Sequence, residues 1–201
     1  MLNGIHPTYQ EIVQAHNLFL NYEPRDLFYR LATNLIQSAL DQVGLFSITE
    51  AVSVLLQTWN NNHYRYHHFD ANHYILIEQL INNNLDRILQ FRNRNISTIA
   101  NADKDSIINL FTSFQDILKP VGAAKALHLL CPNFFPIWDN KIAIAYNLRL
   151  ISVDTNPNKY LSFVYIQQNQ AAQLPEELPN GISKLKAIDE YNYCRYTKCL
   201  M

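Results

Sequence analysis

The chain of 201 residues carries 16 lysines and arginines against 17 aspartates and glutamates, a formal net charge of −1, with a pI near 6.6. That balance excludes a molecule-wide attraction to polyanions, so any nucleic-acid site must be a local patch. Three widely spaced cysteines, Cys131, Cys194 and Cys199, exclude a disulfide framework or a zinc ribbon and fit a reducing compartment.

The length suits one domain, 1–201, with its own core. Met1 to Tyr9 lacks the basic stretch and apolar run of a leader, and no apolar run reaches bilayer length. A cytoplasmic location without membrane contact is therefore expected. Only four glycines occur, Gly4, Gly44, Gly122 and Gly181, too few for a turn-rich β architecture. The expected class is all-α, a compact multi-helix single domain. No repeat of solenoid length is visible, and the asparagine runs 60–62 and 82–84 read as compositional bias.

In chain order the pattern predicts helices over 7–20, 24–41 and 47–60. The third opens on Ser47 with Glu50 three residues later, a capping box, and buries Ile48, Val52, Leu55, Leu56 and Trp59 along one face. Between Asn62 and Asp70 histidines alternate with aromatics: His63, Tyr64, Tyr66, His67 and Phe69, with His73 beyond. Such a stretch can stack on bases or, through histidines four apart, hold a metal. It reads first as an aromatic-rich connection, and no metal or other cofactor is expected. A helix over 70–91 follows. Arg92 and Arg94, one residue apart beyond it, form a candidate phosphate clamp, with a solvated helix end as the alternative.

The next helix, 103–118, takes Asp103 as its N-cap and buries Ile107, Phe111, Phe114 and Leu118. Pro120 ends it, and Gly122 is read as the tight turn before a helix over 122–131, whose first amides, at Gly122 and Ala123, would face a phosphate. Between Pro120 and Trp138 the only charged side chain is Lys125. An ammonium in apolar surroundings is costly unless it serves a purpose, and burial lowers its pKa toward nucleophilic use.

Leu118-Lys119-Pro120-Val121-Gly122-Ala123-Ala124-Lys125, followed by Phe135-Pro136-Ile137-Trp138-Asp139, resembles the hairpin of the helix-hairpin-helix DNA glycosylases. The resemblance places a helix-hairpin-helix-like element around residues 103–131. It implies a DNA partner held through Gly122, Ala123 and the clamp arginines. It also implies Asp139 as the carboxylate that assists base departure and Lys125 as the nucleophile of a glycosylase/lyase. His128 and Trp138 would then border the cleft. The hairpin has one glycine where that family has two, and Lys125 and Asp139 stand fourteen positions apart. Lys125 to Asp139 is also similar to a family of small bacterial proteins with a K-x-L-H-x-x-x-P-x-x-F-P-x-W-D stretch, which implies no activity. The bland alternative is a Lys125–Asp139 ion pair joining two helices, with His128 satisfying a buried carbonyl.

Helices over 138–147, 157–173 and 182–197 complete the chain. Asn156-Pro157 sets proline at the second start, and an exposed loop runs from Leu174 to Gly181. The last helix turns Leu185, Ile188 and Tyr191 inward to dock on the body. There is no P-loop, dinucleotide fingerprint, G-x-S-x-G elbow or H-E-x-x-H. A base-excision relative acting on DNA is the expectation; a non-catalytic all-α nucleic-acid-binding or protein-interaction protein is the alternative. No oligomeric state is read from the sequence.

Overall fold

The computed structural model describes residues 6–201; Met1 to Ile5, with Gly4, lie outside the described residues. Among those described there is no strand, and the all-α class holds. The helices are α1 (Tyr9–Tyr22), α2 (Asp26–Leu40), α3 (Ile48–Trp59), the short α4 (Asn61–Tyr64), α5 (Ala71–Asn83), α6 (Leu85–Arg92), α7 (Lys104–Leu130), α8 (Asn140–Ala145), α9 (Asn156–Gln173) and α10 (Lys184–Asn192). A π-turn, Tyr193–Thr197, continues α10.

Local chemistry sets most ends. Ser47 and Glu50 close the expected capping box on α3, the Glu50 carboxylate taking the Ser47 amide at 2.6 Å. Thr8 and Glu11 form another on α1. The helix expected over 70–91 is two, because Asn84 turns its side-chain amide onto the Leu80 carbonyl at 2.8 Å and leaves the helical path. Asp103 does not cap α7; its carboxylate holds the Arg94 guanidinium and the Ala100 amide instead.

The centre of the molecule is α7, whose apolar face (Ile107, Phe111, Phe114, Leu118) is fully buried. It packs on α9 on one side and on α2, α3, α5 and α6 on the other, while α10 lies between α1 and α9. Apolar side chains from α1 to α10 form one continuous buried cluster. The loop before α10 is exposed at Glu176 and Glu177 and anchored by Leu174 and Leu178.

The bend within α7 falls three residues before Gly122. Lys119 sits at φ 62°, ψ 164°, a region in which only glycine is at ease, and breaks α7 into arms of 104–118 and 120–130. Pro120 accounts for the extended ψ and for the break, because it disfavours a helical residue before it and offers no N–H, yet suits the first position of the new arm. The positive φ is a strain that Lys119 carries in addition. Gly122 lies inside that arm. A Cβ there would meet the Asn60 amide nitrogen and the Leu118 Cβ at 3.1 Å each, so its glycine serves a close approach between helices.

Because Lys119 holds a strained conformation without a side-chain reason internal to the fold, Lys119→Gly should raise unfolding stability by about 1 kcal/mol or more, read from urea or thermal melts.

Candidate functional site

The second arm of α7 and the loop after it converge on one hollow. The irregular segment from Cys131 to Asp139 is largely buried, with Asn133 exposed, and three of its carbonyls are met from other elements. The Ile96 amide donates to the Asn133 carbonyl at 2.8 Å, His128 Nδ1 donates to that of Phe135 at 2.8 Å, and the Tyr160 hydroxyl donates to that of Pro136 at 2.9 Å. So pinned, the segment delivers Asp139 to the start of α8. There Oδ1 caps the helix by accepting from the Ile142 amide at 2.8 Å, and Oδ2 accepts from the Thr197 hydroxyl at 2.9 Å.

Lys125 reaches the same hollow from α7. Its ammonium donates to the backbone carbonyl of Trp59, and among the described residues it forms no ion pair within 4.0 Å. The Lys125–Asp139 ion pair, the bland alternative for this site, is therefore not made. The two groups instead face a common cavity of about 60 Å³, enclosed with them by Trp59, Glu23, Arg25 and Asp189 among others. Above it opens a groove of about 790 Å³. Arg25, Trp59, Lys125 and Asp139 belong to both. Burial pulls the Lys125 pKa down to about 8, against the attraction of the Asp139 and Asp189 carboxylates.

The groove walls carry His63, His67, Tyr66 and Asn60 from the α3–α5 connection, Lys119 and Gly122 at the bend, and Lys141 and Ile151 opposite. His63 and His67 stack with centroids 4.4 Å apart. Desolvation first, then the neighbouring imidazoles and Lys119, lower the His63 pKa. His73 turns away to the Tyr64 hydroxyl at 3.0 Å. Among the described residues no three His, Cys, Asp or Glu side chains converge as metal ligands. No described helix is long and apolar enough to cross a membrane.

Several residues singled out from the sequence lie elsewhere. Arg92 donates to the Leu130 carbonyl at 2.6 Å and to Gln37 at 3.1 Å, closing the C-terminus of α7. Arg94 forks onto Asp103 at 2.7 Å through both terminal nitrogens and also reaches the Thr98 carbonyl. Both guanidinium groups are engaged internally, and neither lines the groove. Ala123 and Trp138 are fully buried in the core. His128, also fully buried, accepts from the Tyr29 hydroxyl at 3.1 Å on Nε2, and Tyr29 stacks on Trp59 with centroids 5.2 Å apart. His128 thus stands one layer behind the cavity wall, satisfying the buried carbonyl expected of it, and burial drives its pKa down to about 4.

Sequence reasoning passed over Glu23, Arg25, Lys119, Thr197 and Asp189. Arg25 forks onto Glu23 at 2.6–2.7 Å, holding that carboxyl down to about 2 against its burial, while the Tyr193 hydroxyl donates to Glu23 as well. Asp189 belongs to α10, where every residue from Leu185 to Asn192 is buried. Lys186 lies 2.9 Å from Asp26 and 4.1 Å above the Phe19 ring, and Glu190 lies 2.7 Å from His16. Charged residues on a helix with Leu185 and Ile188 inward look like a solvated face, and nothing in their spacing says otherwise.

Comparison with known proteins finds no matching family model and no similar curated protein or solved structure.

Two buried groups act oppositely on stability as pH falls. His128, its folded pKa lowered to about 4, takes up its proton on unfolding, so stability is lost from the ordinary histidine range down to that value. Asp189, its folded pKa raised to about 7 by burial, holds its proton when folded, so stability is gained over an overlapping range. The wild-type melting temperature should change little on acidification from pH about 6.5 to about 4.5 on account of this pair. Asp189→Asn should unmask a clear fall, visible by circular dichroism.

Proposed function

We propose that the chain is a DNA-binding relative of the helix-hairpin-helix glycosylases, with Lys125 as nucleophile and Asp139 as the carboxylate beside it. The observation that carries this reading is Lys125 itself. Its pKa is lowered to about 8, its sole hydrogen-bond partner among the described residues is a backbone carbonyl, and it shares a cavity with the Glu23, Asp139 and Asp189 carboxylates at the floor of an open groove. An amine so placed is about one tenth free at pH 7, far more than an ordinary lysine, and so can attack near neutral pH. Asp139, fixed by the Ile142 amide and the Thr197 hydroxyl, is suited to stabilise positive charge developing on a sugar.

The groove supplies what a net charge of −1 does not. Lys119, Lys141 and Arg25 put cations along it, and Trp59, Tyr66 and the stacked His63 and His67 rings add aromatic faces. A chain of phosphates with unstacked bases meets that combination. The cavity below holds about two waters, so an extruded nucleoside would lie in the groove with its sugar carbon toward Lys125, and the base would not enter the cavity. Phosphate contact is assigned to Lys119 and the Gly122 wall, and Arg92 and Arg94 have no part in it.

The same proportions favour a second reading, binding without chemistry, because the groove is roomy and the cavity small. The two separate cleanly. With DNA containing an abasic site, borohydride should trap a covalent adduct that Lys125→Ala abolishes; groove affinity with no adduct would leave the binding reading alone standing. In either case DNA affinity should fall with salt, and Lys119→Ala and Lys141→Ala should each lower the slope of log K against log salt by about 1. A flat gel shift across DNA and RNA probes would remove both readings.

A further inference from the structure

Each ionic group lining the cavity except one has a partner. Glu23 is paired with Arg25, Asp139 accepts from an amide and a hydroxyl, and Lys125 donates to a carbonyl. Asp189 is the exception. Its residue is 8% exposed, its carboxylate borders the cavity, and among the described residues that carboxylate takes part in no hydrogen bond or ion pair. A buried carboxylate left without a donor is expensive, and α10 bears that cost at the point where its side chain meets the space in front of Lys125.

We propose that Asp189 is the proton carrier for Lys125: it takes the proton that the lysine nitrogen sheds on bonding to an electrophilic carbon and delivers it to the oxygen on that carbon. The inference rests on Lys125 being a nucleophile, as in the reading above. With an aldehyde, such as the open form of an abasic sugar, the free amine attacks and the carbonyl π pair moves to oxygen, leaving an ammonium and an alkoxide on one carbon. Asp189 accepts an N–H proton and passes it to the alkoxide, giving a neutral carbinolamine and the carboxylate again. Reloaded with a proton from solvent, the same acid protonates the hydroxyl, which leaves as water while the nitrogen lone pair forms the C=N bond.

The surroundings suit that exchange. Around Asp189 are Lys125 from α7, Asp139 at the cap of α8, Glu23 and Arg25 between α1 and α2, Tyr29 from α2, Tyr193 beyond α10, and Lys186 and Glu190 on α10 itself, with Asp26 of α2 beyond Lys186. Desolvation raises the Asp189 pKa to about 7, against the pull of Lys186, and lowers that of Lys125 to about 8. Donor and acceptor are therefore nearly matched near neutral pH, the condition for easy transfer in both directions.

A purely electrostatic role makes the opposite prediction. Removing a nearby negative charge loosens the proton on an ammonium, so Asp189→Asn would raise the fraction of free amine and speed the reaction. If Asp189 carries the proton, the substitution slows it. The probe is formaldehyde with cyanoborohydride, which methylates amines through the same imine and needs no DNA, with Lys125 and the exposed Lys104 compared by peptide mass spectrometry. Asp189→Asn should slow methylation of Lys125 relative to Lys104 by about tenfold or more and flatten its rise through neutral pH, while Asp189→Glu retains most of the rate. Added formate should restore the rate of Asp189→Ala, which keeps the test open if the asparagine variant folds poorly. Unchanged or faster methylation of Lys125 in Asp189→Asn, or no response of Asp189→Ala to formate, overturns the proposal. Abasic-DNA trapping of the same proteins separates the two ideas: no Lys125-dependent adduct in the wild type sinks the DNA reading, whereas a normal adduct in Asp189→Asn sinks only the proton carrier.

Discussion

The bend at Lys119 and Pro120 is the constraint from which the site follows. Without it α7 would run straight through the core and carry Lys125 past the end of α3. With it, the 120–130 arm turns so that Gly122 lies against Asn60, Lys125 meets the carbonyl at the end of α3, and His128 reaches back to Phe135. The arm is held at its far end too, where Arg92 takes the Leu130 carbonyl. A single proline thus sets the direction of three side chains, and the residue before it absorbs the backbone cost.

A second dependence runs through the C-terminal segment. α10 is buried along its length although it carries Lys186, Asp189 and Glu190. Two of these are compensated, Lys186 by Asp26, Glu190 and aromatic faces, and Glu190 by His16. Asp189 is not, and Thr197 and Tyr193 beyond the helix reach Asp139 and Glu23. What the sequence suggests is a docking helix closes the cavity as well as covering the core. The apolar residues Leu185, Ile188 and Tyr191 supply the burial that makes an uncompensated carboxylate tolerable.

Patterns of one residue type at helical spacing were legible in the sequence. The faces of α3 and α7, the Ser47–Glu50 box, the proline opening α9 and the inward side of α10 all follow from periodicity and capping chemistry, which act within a few residues. Lys125 and Asp139 stood out because charge is scarce around them. Asn84 was missed as a break because an asparagine side chain competes with its own backbone only when tertiary packing lets it. Gly122 drew the turn to itself because glycine is the residue expected at positive φ, whereas it is Lys119, just before Pro120, that occupies that conformation. Glu23, Arg25 and Asp189 could not be read, since their meaning lies in meeting Lys125 across distant parts of the chain.

The strain at Lys119 also bears on how a nearly neutral molecule could hold a polyanion. A glycine there would relax the backbone, so the lysine has a cost that the fold does not require. Its side chain lines the groove with Lys141 and Asp139, while Glu23 and Arg25 are bound to each other and Asp189 is sunk in the cavity. Lys119 and Lys141 thereby outnumber Asp139 along the groove wall, so the local field there has a sign that the sum over all residues conceals. Such a field weakens within about 10 Å at ordinary salt. A ligand attracted by it would have to lie in the groove itself, over Lys125, and not against the molecule at large.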